Sequence, residues 1–508
     1  MKRLWKVLPP CLSDLMGFEA VVNETEGLGL IDDSSTYKPL MFGRGGHGRP
    51  GIEDRPDRDG HPLMNDSSEV GSHPWAAGRL DRGKYVEMTG HPDRDERAEM
   101  TGHPDREGRP EMEGRHGHGG GRAGFGRLMP GMRVLNSDIR NEDIITGTEK
   151  KVMLAFDRGV KQLSPNFVLL AYGPSASMIG SDLEYAAEKI TEGSAFVQRT
   201  SMDESASFRK EGGSTSVQSG LPAAAVKIDG EKDYLYGISC TLEAMGRLLL
   251  TPRETIPGSL NILGANTIDW AKESFADLEA LLKQEGVQIL SRWGWKETTE
   301  NLKLASAAAL NLVVNESGLR LARYMESEYG IPYLAGAPFG ADFTETLKIW
   351  LKEAVLVADT KRPGEKQRKE VRLSASAASP KEDQRKENDV DTEPEILIVG
   401  EQFTANAIRR ELLRRGKSKI RVLSFYDMDR AYMETGDQKL TGEDDFARQA
   451  NAASVRMIFA DGDLRPLVKK EVRWVRLPNT GSMFPMESVE AFHMTGSALD
   501  VWLDREEL

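Results

Sequence analysis

Short apolar runs ending in glycine, each followed by helical periodicity, set the narrowest limit on how this chain can fold. Phe167–Tyr172 leads into Gly173, Pro174 and Ser175, then a helical pattern from Leu183 to Ile190. Ser259–Leu263 ends at Gly264 and is followed by Phe275, Leu278, Leu281 and Leu282 at helical spacing. Ile396–Val399 ends at Gly400 ahead of a helical segment from Ala405 to Arg415. Further strands are expected at Val287–Leu290, Leu310–Val314, beyond Gly330, at Ile420–Leu423 and at Val455–Ala460. Further helices are expected around Thr299–Ala307 and over Leu319–Tyr329. Strands that are apolar throughout are covered on both faces, and the intervening helices supply that cover. The pattern therefore predicts an α/β fold of parallel sheets. Ligands of such sheets bind outside the carboxyl ends of strands. That singles out the loops after Tyr172, Gly264, Val314 and Gly400.

Three stretches interrupt the pattern. Residues 43–127 hold seven of the eight histidines and are rich in Gly, Arg, Asp and Pro, with almost no aliphatic periodicity. The run from Glu87 to Arg94 recurs from Glu99 to Arg106, a period of 12 residues, and its units contain no core-forming side chains. Such a segment cannot bury enough surface to offset its ordering entropy and is expected to be disordered. Residues 361–395 turn from basic to acidic and read as a charged linker. Residues 201–220, rich in Ser and Gly, read as a surface loop. The expected organisation is a discontinuous first α/β domain (1–42 and 128–255), a second (256–360) and a third (396–508).

With 508 residues, several domains are within reach. A net charge of −13 argues against nucleic acid as a partner. No run of eighteen apolar residues exists, and the apolar part of the N-terminus is too short for a signal peptide. The expected setting is cytoplasmic, away from membranes. Two cysteines, Cys11 and Cys240, exclude a disulfide framework and any iron–sulfur cluster held by four thiolates of this chain alone.

Individual motifs carry less. The glycines at 264 and 400 do not extend into a dinucleotide or phosphate-loop pattern and read as tight turns. His116 and His118, the densest histidine pair, could bind a divalent metal, or belong to a flexible repeat without function. Cys240 shares helical spacing with Ala244 and reads as core. His493 stands apart from the other histidines and could be a ligand.

Taken in order along the chain, several segments resemble the nitrogenase component 1 family. They are Leu8–Gly17, Ser137–Val152, Pro165–Leu170, Met178–Glu184, Leu260–Gly264, Asp277–Gly286, Ala309–Val314, Ala322–Glu326 and Tyr329–Gly340. The resemblance implies three Rossmann-like domains with parallel sheets around a central cleft. It also implies a two-fold or pseudo-two-fold assembly with a second component 1-like subunit, and electrons from an ATP-dependent iron–sulfur reductase.

Cluster-bearing members of that family place three cysteines in the first domain, and only Cys11 has a counterpart here. Gly29–Tyr37 stands where a Gly-Cys step is expected, and Gly173–Ser175 where the third cysteine is. Asn315 falls near the position of the catalytic cofactor's cysteine. Serine and asparagine are poor replacements for thiolate. An iron–sulfur cluster would therefore have to be shared with a partner chain. The candidate cofactor-binding residues are Cys11, Gly173, Ser175, Gly264, Asn266, Asn315, Gly400 and Glu401, and the candidate metal ligands are Cys11, His116 and His118. Two functions follow: a subunit of a nitrogenase-like oxidoreductase performing low-potential reduction, or a non-catalytic scaffold or metal-cofactor carrier of the same fold.

Overall fold

The computed structural model describes residues 11–34, 131–193, 220–358, 393–477, 481 and 493–508. Among these, three sheets form, and every paired strand in them is parallel. The first contains β1 (Leu28–Asp32), β2 (Val134–Asn136), β3 (Val168–Tyr172) and β4 (Ala223–Val226), in the order β2-β1-β3-β4. The second contains β5 (Ile256–Leu263), β6 (Gln288–Trp293), β7 (Ala308–Val313) and β8 (Tyr333–Ala335), in the order β6-β5-β7-β8. The third contains β9 (Ile396–Val399), β10 (Ile420–Ser424), β11 (Gln438–Lys439), β12 (Met457–Ala460) and β13 (Arg473–Arg476), in the order β11-β10-β9-β12-β13. The chain is an α/β protein, as its apolar runs predict.

In all three sheets the strand order reverses beside the first strand. The reversal lies between β1 and β3, between β5 and β7, and between β9 and β12. A crevice opens at such a switch point, because the flanking helices leave toward opposite faces. Gly173, Gly264, Asn315 and Gly400 all follow strands that border these points.

The expected helix over Leu319–Tyr329 is found with those bounds. The strand expected at Val287–Leu290 starts one residue later and runs on to Trp293. Leu28–Asp32, where the family resemblance marks only an absent cysteine, is the buried inner strand β1 of the first sheet. The repeat-bearing segment 43–127, with His116 and His118, lies outside the described residues, as do 361–392 of the charged linker and 201–219 of the polar loop. Among the described residues, no helix is long and apolar enough to cross a membrane.

Two helices fix how the first and second sheets meet. Asp14–Val22 is buried along its whole length and packs on Tyr234–Leu249, which also packs on β4 and on the Leu319–Tyr329 helix. The crossing has no side chain between the backbones. A Cβ on Gly17 would collide with the Tyr234 carbonyl, and one on Gly237 with the Asp14 carbonyl. Close approach of this kind admits only glycine, because backbone atoms cannot swing aside as a flexible side chain can.

The third sheet is held by a buried ion pair. Arg409 Nη1 lies 2.7 Å from both oxygens of Asp437, and the same carboxylate accepts the Val422 amide at 2.9 Å. The carboxylate thus fixes a helix and β10 together. Removing one partner of such a pair leaves an uncompensated charge inside the protein.

The crossing supplies a first test. Gly17→Ala or Gly237→Ala should each destabilise the protein by about 1–3 kcal/mol through overpacking. Thermal and urea unfolding of both variants would show this, and wild-type stability in both would refute backbone contact at the crossing.

Candidate functional site

The loops at the second sheet's switch point are pressed together. Gly264 adopts φ +88°, and a Cβ there would lie 2.8 Å from the Gly318 amide nitrogen and 3.0 Å from the Asn315 carbonyl. The turn after β5 therefore closes tightly on the loop after β7, which places Asn266 and Asn315 around one carboxylate, that of Asp269. The Asn266 Nδ2 donates to Asp269 Oδ2 at 3.0 Å and that of Asn315 at 3.2 Å. The other ends of both amides are also used. Asn266 Oδ1 accepts the Ile268 and Asp269 amides, and Asn315 Oδ1 accepts the Ser317 amide and hydroxyl. Asp269 Oδ1 accepts the Tyr234 hydroxyl at 2.6 Å.

Tyr234 connects this hub to Cys11. The segment ahead of the Asp14–Val22 helix runs beside residues 232–234, with the Tyr234 amide donating to the Leu12 carbonyl at 2.9 Å. On its other side the Leu12 amide donates to the Gly481 carbonyl at 2.7 Å. The Cys11 thiol meets the Tyr426 hydroxyl, and the rings of Tyr426 and Tyr234 contact edge to face at 5.5 Å. Burial, then the charge of Asp233, push the Cys11 thiol up to about 12, with Asp269 adding to the effect. Tyr234 and Tyr426 are likewise held well above the usual phenol value, first by burial.

The third sheet contributes Glu401, one residue beyond Gly400 at the end of β9. Its carboxylate caps the Gln402–Arg414 helix, accepting the Phe403 and Thr404 amides at 3.0 and 2.8 Å, and it also accepts the Glu316 amide at 3.2 Å. Burial raises its pKa. Glu316 follows Asn315 directly and is pushed up to about 8, by burial and by the nearby charges of Glu401, Asp233, Asp429 and Asp427.

Gly173 and Ser175 belong to a separate polar cluster at the first sheet. The Gly173 amide donates to the Asp32 carbonyl at 3.0 Å, and the Ser175 amide to Asp33 Oδ1 at 3.1 Å. Asp32 is buried and accepts the hydroxyls of Ser137 and Thr148 at 2.6 and 2.8 Å. Cys240 is buried in its helix with Arg320 Nη1 2.8 Å from its sulfur. His493 Nε2 sits 2.8 Å from Asp277 Oδ2.

The fold thus joins Cys11, Asn266, Asn315 and Glu401 through three residues that the sequence pattern does not single out: Asp269, Tyr234 and Glu316. A weak signal for Asp269 exists, since it stands three residues after an asparagine in a loop following a strand, the spacing of a side-chain-capped turn. Nothing local marks Tyr234 or Tyr426.

The donors present do not fit an iron–sulfur cluster on this chain. Among the described residues no group of three or more His, Cys, Asp or Glu is arranged to hold a metal ion. Cys11 is the one thiol that the described residues bring to the junction, and burial, then Asp233, raise its pKa. A thiolate-ligated cluster is itself anionic and would face Asp233 and Asp269.

Glu316 gives a test of this electrostatic picture. Its value in the folded protein lies above the ordinary carboxyl value of 4.5. Its protonated form therefore favours folding fully below that value, and the contribution is lost as pH rises through about 8. Glu316→Gln, neutral at every pH, should gain stability relative to wild type between about pH 6 and about pH 9. Thermal melts at both pH values check this, and identical pH dependence of the two proteins would overturn it.

Comparison with known proteins places this geometry. Residues 121–379 match the family described as nitrogenase component 1 type oxidoreductase. The nitrogenase iron-molybdenum cofactor biosynthesis protein NifE of Methanosarcina barkeri is 27% identical over 221 residues, covering 41% of this chain and 42% of that protein. A light-independent protochlorophyllide reductase subunit of Chlorokybus atmophyticus is 28% identical over 215 residues, covering 42% and 39%. The matched region thus spans about two-fifths of the length of these curated relatives. The solved structure of nitrogenase Cp1 at pH 6.5 superposes with a TM-score of 0.57 at 9% identity, covering 100% of this chain and 94% of that one. The shared fold therefore extends beyond the segment matched in sequence. The chain belongs to the nitrogenase component 1 type oxidoreductase family.

Proposed function

We infer that this chain is a scaffold or assembly subunit of the component 1 type, which shapes a polar cleft within a multi-subunit complex and holds no iron–sulfur cluster by itself. The observation that carries this reading is the setting of Cys11. Its thiol is buried beside the Tyr426 hydroxyl, and among the described residues no group of three or more His, Cys, Asp or Glu is arranged around it to hold a metal. Iron–sulfur clusters are held by several thiolates, and Cys11 supplies only one. Two relatives are consistent with such a role in their names: one is a cofactor biosynthesis protein and the other a reductase subunit. The partners would be a second component 1-like chain, which supplies redox centres, and an ATP-dependent iron–sulfur reductase.

In this reading the chain's own residues orient and insulate. Asn266 and Asn315 hold Asp269 in place, Asp269 fixes Tyr234, and Tyr234 and Tyr426 enclose the Cys11 thiol. Glu401 ties the loop after β7 to the helix after β9, so the cleft walls from two sheets move as one. A second reading rests on where Cys11 lies. It sits at the junction of all three sheets, where it could supply one thiolate to a cluster completed by the partner, as in a low-potential oxidoreductase subunit.

The two readings part on one substitution. Cys11→Ser would be made in the full chain, co-expressed with its accompanying component 1-like chain and purified without oxygen. The scaffold reading expects the same iron and acid-labile sulfide per complex as wild type, and the same subunit stoichiometry. Loss of iron and sulfide from an intact complex would overturn it in favour of the redox subunit.

A further inference from the structure

A groove of about 530 Å³ runs between the Tyr234–Leu249 and Leu319–Tyr329 helices, with Glu316 at one end. Its charged lining differs from the acid-rich junction beside it. Arg247, Arg320 and Arg323 converge there against Glu243 and Glu316, with Tyr236 and Tyr324 as aromatic walls. Three guanidiniums on two facing helices are a costly arrangement unless something offsets their mutual repulsion. Glu243 does part of this. It receives Arg320 Nε at 2.7 Å and Arg247 Nη2 at 2.7 Å, so one carboxylate serves two arginines from opposite helices. Asp429 pairs with Arg323 from outside the groove.

The arginines are also held in position by their surroundings. Arg247 lies over the Tyr324 ring at 4.4 Å, and Arg320 lies 5.8 Å from the Tyr236 ring centre. Their side chains nevertheless remain 59%, 46% and 48% exposed for Arg247, Arg320 and Arg323. A guanidinium carries five N–H donors in a rigid fork, and Glu243 for Arg247, Glu243, Cys240 and Tyr236 for Arg320, and Asp429 and Tyr333 for Arg323 occupy only part of each. Glu316 adds little charge at neutral pH, because its carboxyl is held protonated. The groove therefore presents three guanidiniums against the Glu243 carboxylate, with Asp429 paired to Arg323 at its edge.

We propose that this groove binds a small oxyanion bearing at least two negative charges, held by Arg247, Arg320 and Arg323 around the position of Glu243. Forked guanidinium donors on both walls match paired phosphate or carboxylate oxygens, which a single lysine could not. The site does not depend on whether Cys11 carries iron, so its failure and that of the scaffold reading are separate outcomes.

Calorimetric titration of the full-length chain with pyrophosphate, and separately with malonate, tests the proposal, with sodium chloride holding ionic strength constant. Saturable binding of at least one probe is expected. Binding of pyrophosphate alone marks the site as one for phosphates, and of malonate alone as one for dicarboxylates. Arg320→Gln and Arg323→Gln should each weaken binding by about tenfold or more, since each removes charge-assisted hydrogen bonds. Glu243→Gln should tighten it, because the amide keeps an acceptor for the arginines while removing the competing charge. That gain guards against misreading a folding defect in the arginine variants. No saturable binding of either probe, unchanged binding in both arginine variants, or weaker binding in Glu243→Gln would each overturn the proposal.

Discussion

At the crossing of the Asp14–Val22 and Tyr234–Leu249 helices, two backbones touch through Gly17 and Gly237. This contact sets the distance between the first and second sheets, and the cleft geometry follows from it. It brings the strand-like segment at Leu12 alongside Tyr234. Tyr234 then reaches Asp269 in one direction and Tyr426 in the other, which ties loops of the second and third sheets to the start of the described chain. A side chain inserted at the crossing would lever these groups apart, because hydrogen bonds of 2.6 to 3.2 Å do not stretch to follow a displaced helix.

Charge is sorted over short distances around this junction. Asp233, Asp269, Glu316, Glu401, Asp427 and Asp429 all bear on the buried side, and each raises the cost of ionising its neighbours. Beside it, arginines dominate the groove between the two helices. In a low-dielectric interior like charges repel strongly, and burial together with these neighbours raises the pKa values of Glu316, Glu401 and the Cys11 thiol. On the basic side the guanidiniums cannot lose their charge and must be paired instead. One surface is therefore suited to holding protons and the other to holding anions.

Much of the fold is legible in the sequence, for a definite reason. Strands β3 and β9 are apolar throughout because helices cover both faces, and β5 and β7 still stand out as runs although each buries an asparagine, Asn261 and Asn311, which pair with one another. β1 does not stand out, because its five residues include a glycine and end in an aspartate, although all five are buried. The switch-point loops are legible too, since glycine after an apolar run marks a strand end. Pairing across large separations leaves no such mark. Tyr234 and Asp269 are 35 positions apart, and Glu316 and Glu401 are 85 apart, with no local pattern that links them.

The amides at the junction show how a strand-end loop can be held by its own side chains. Asn266 and Asn315 sit where strands end at a switch point, the place where folds of this kind present ligands. Here both are buried and spend their amides on Asp269, on their own loops and on Ser317. A group poised for a bound cofactor would keep a donor or acceptor turned into the cleft, since re-pairing it there is what binding energy comes from. These side chains are instead satisfied by one another, as members of a network that rigidifies loops. The half-exposed guanidiniums of the arginine groove are the opposite case, with donors still turned to solvent. The strand-end amides thus hold the loops in place, while the groove beside them keeps guanidinium donors at its surface.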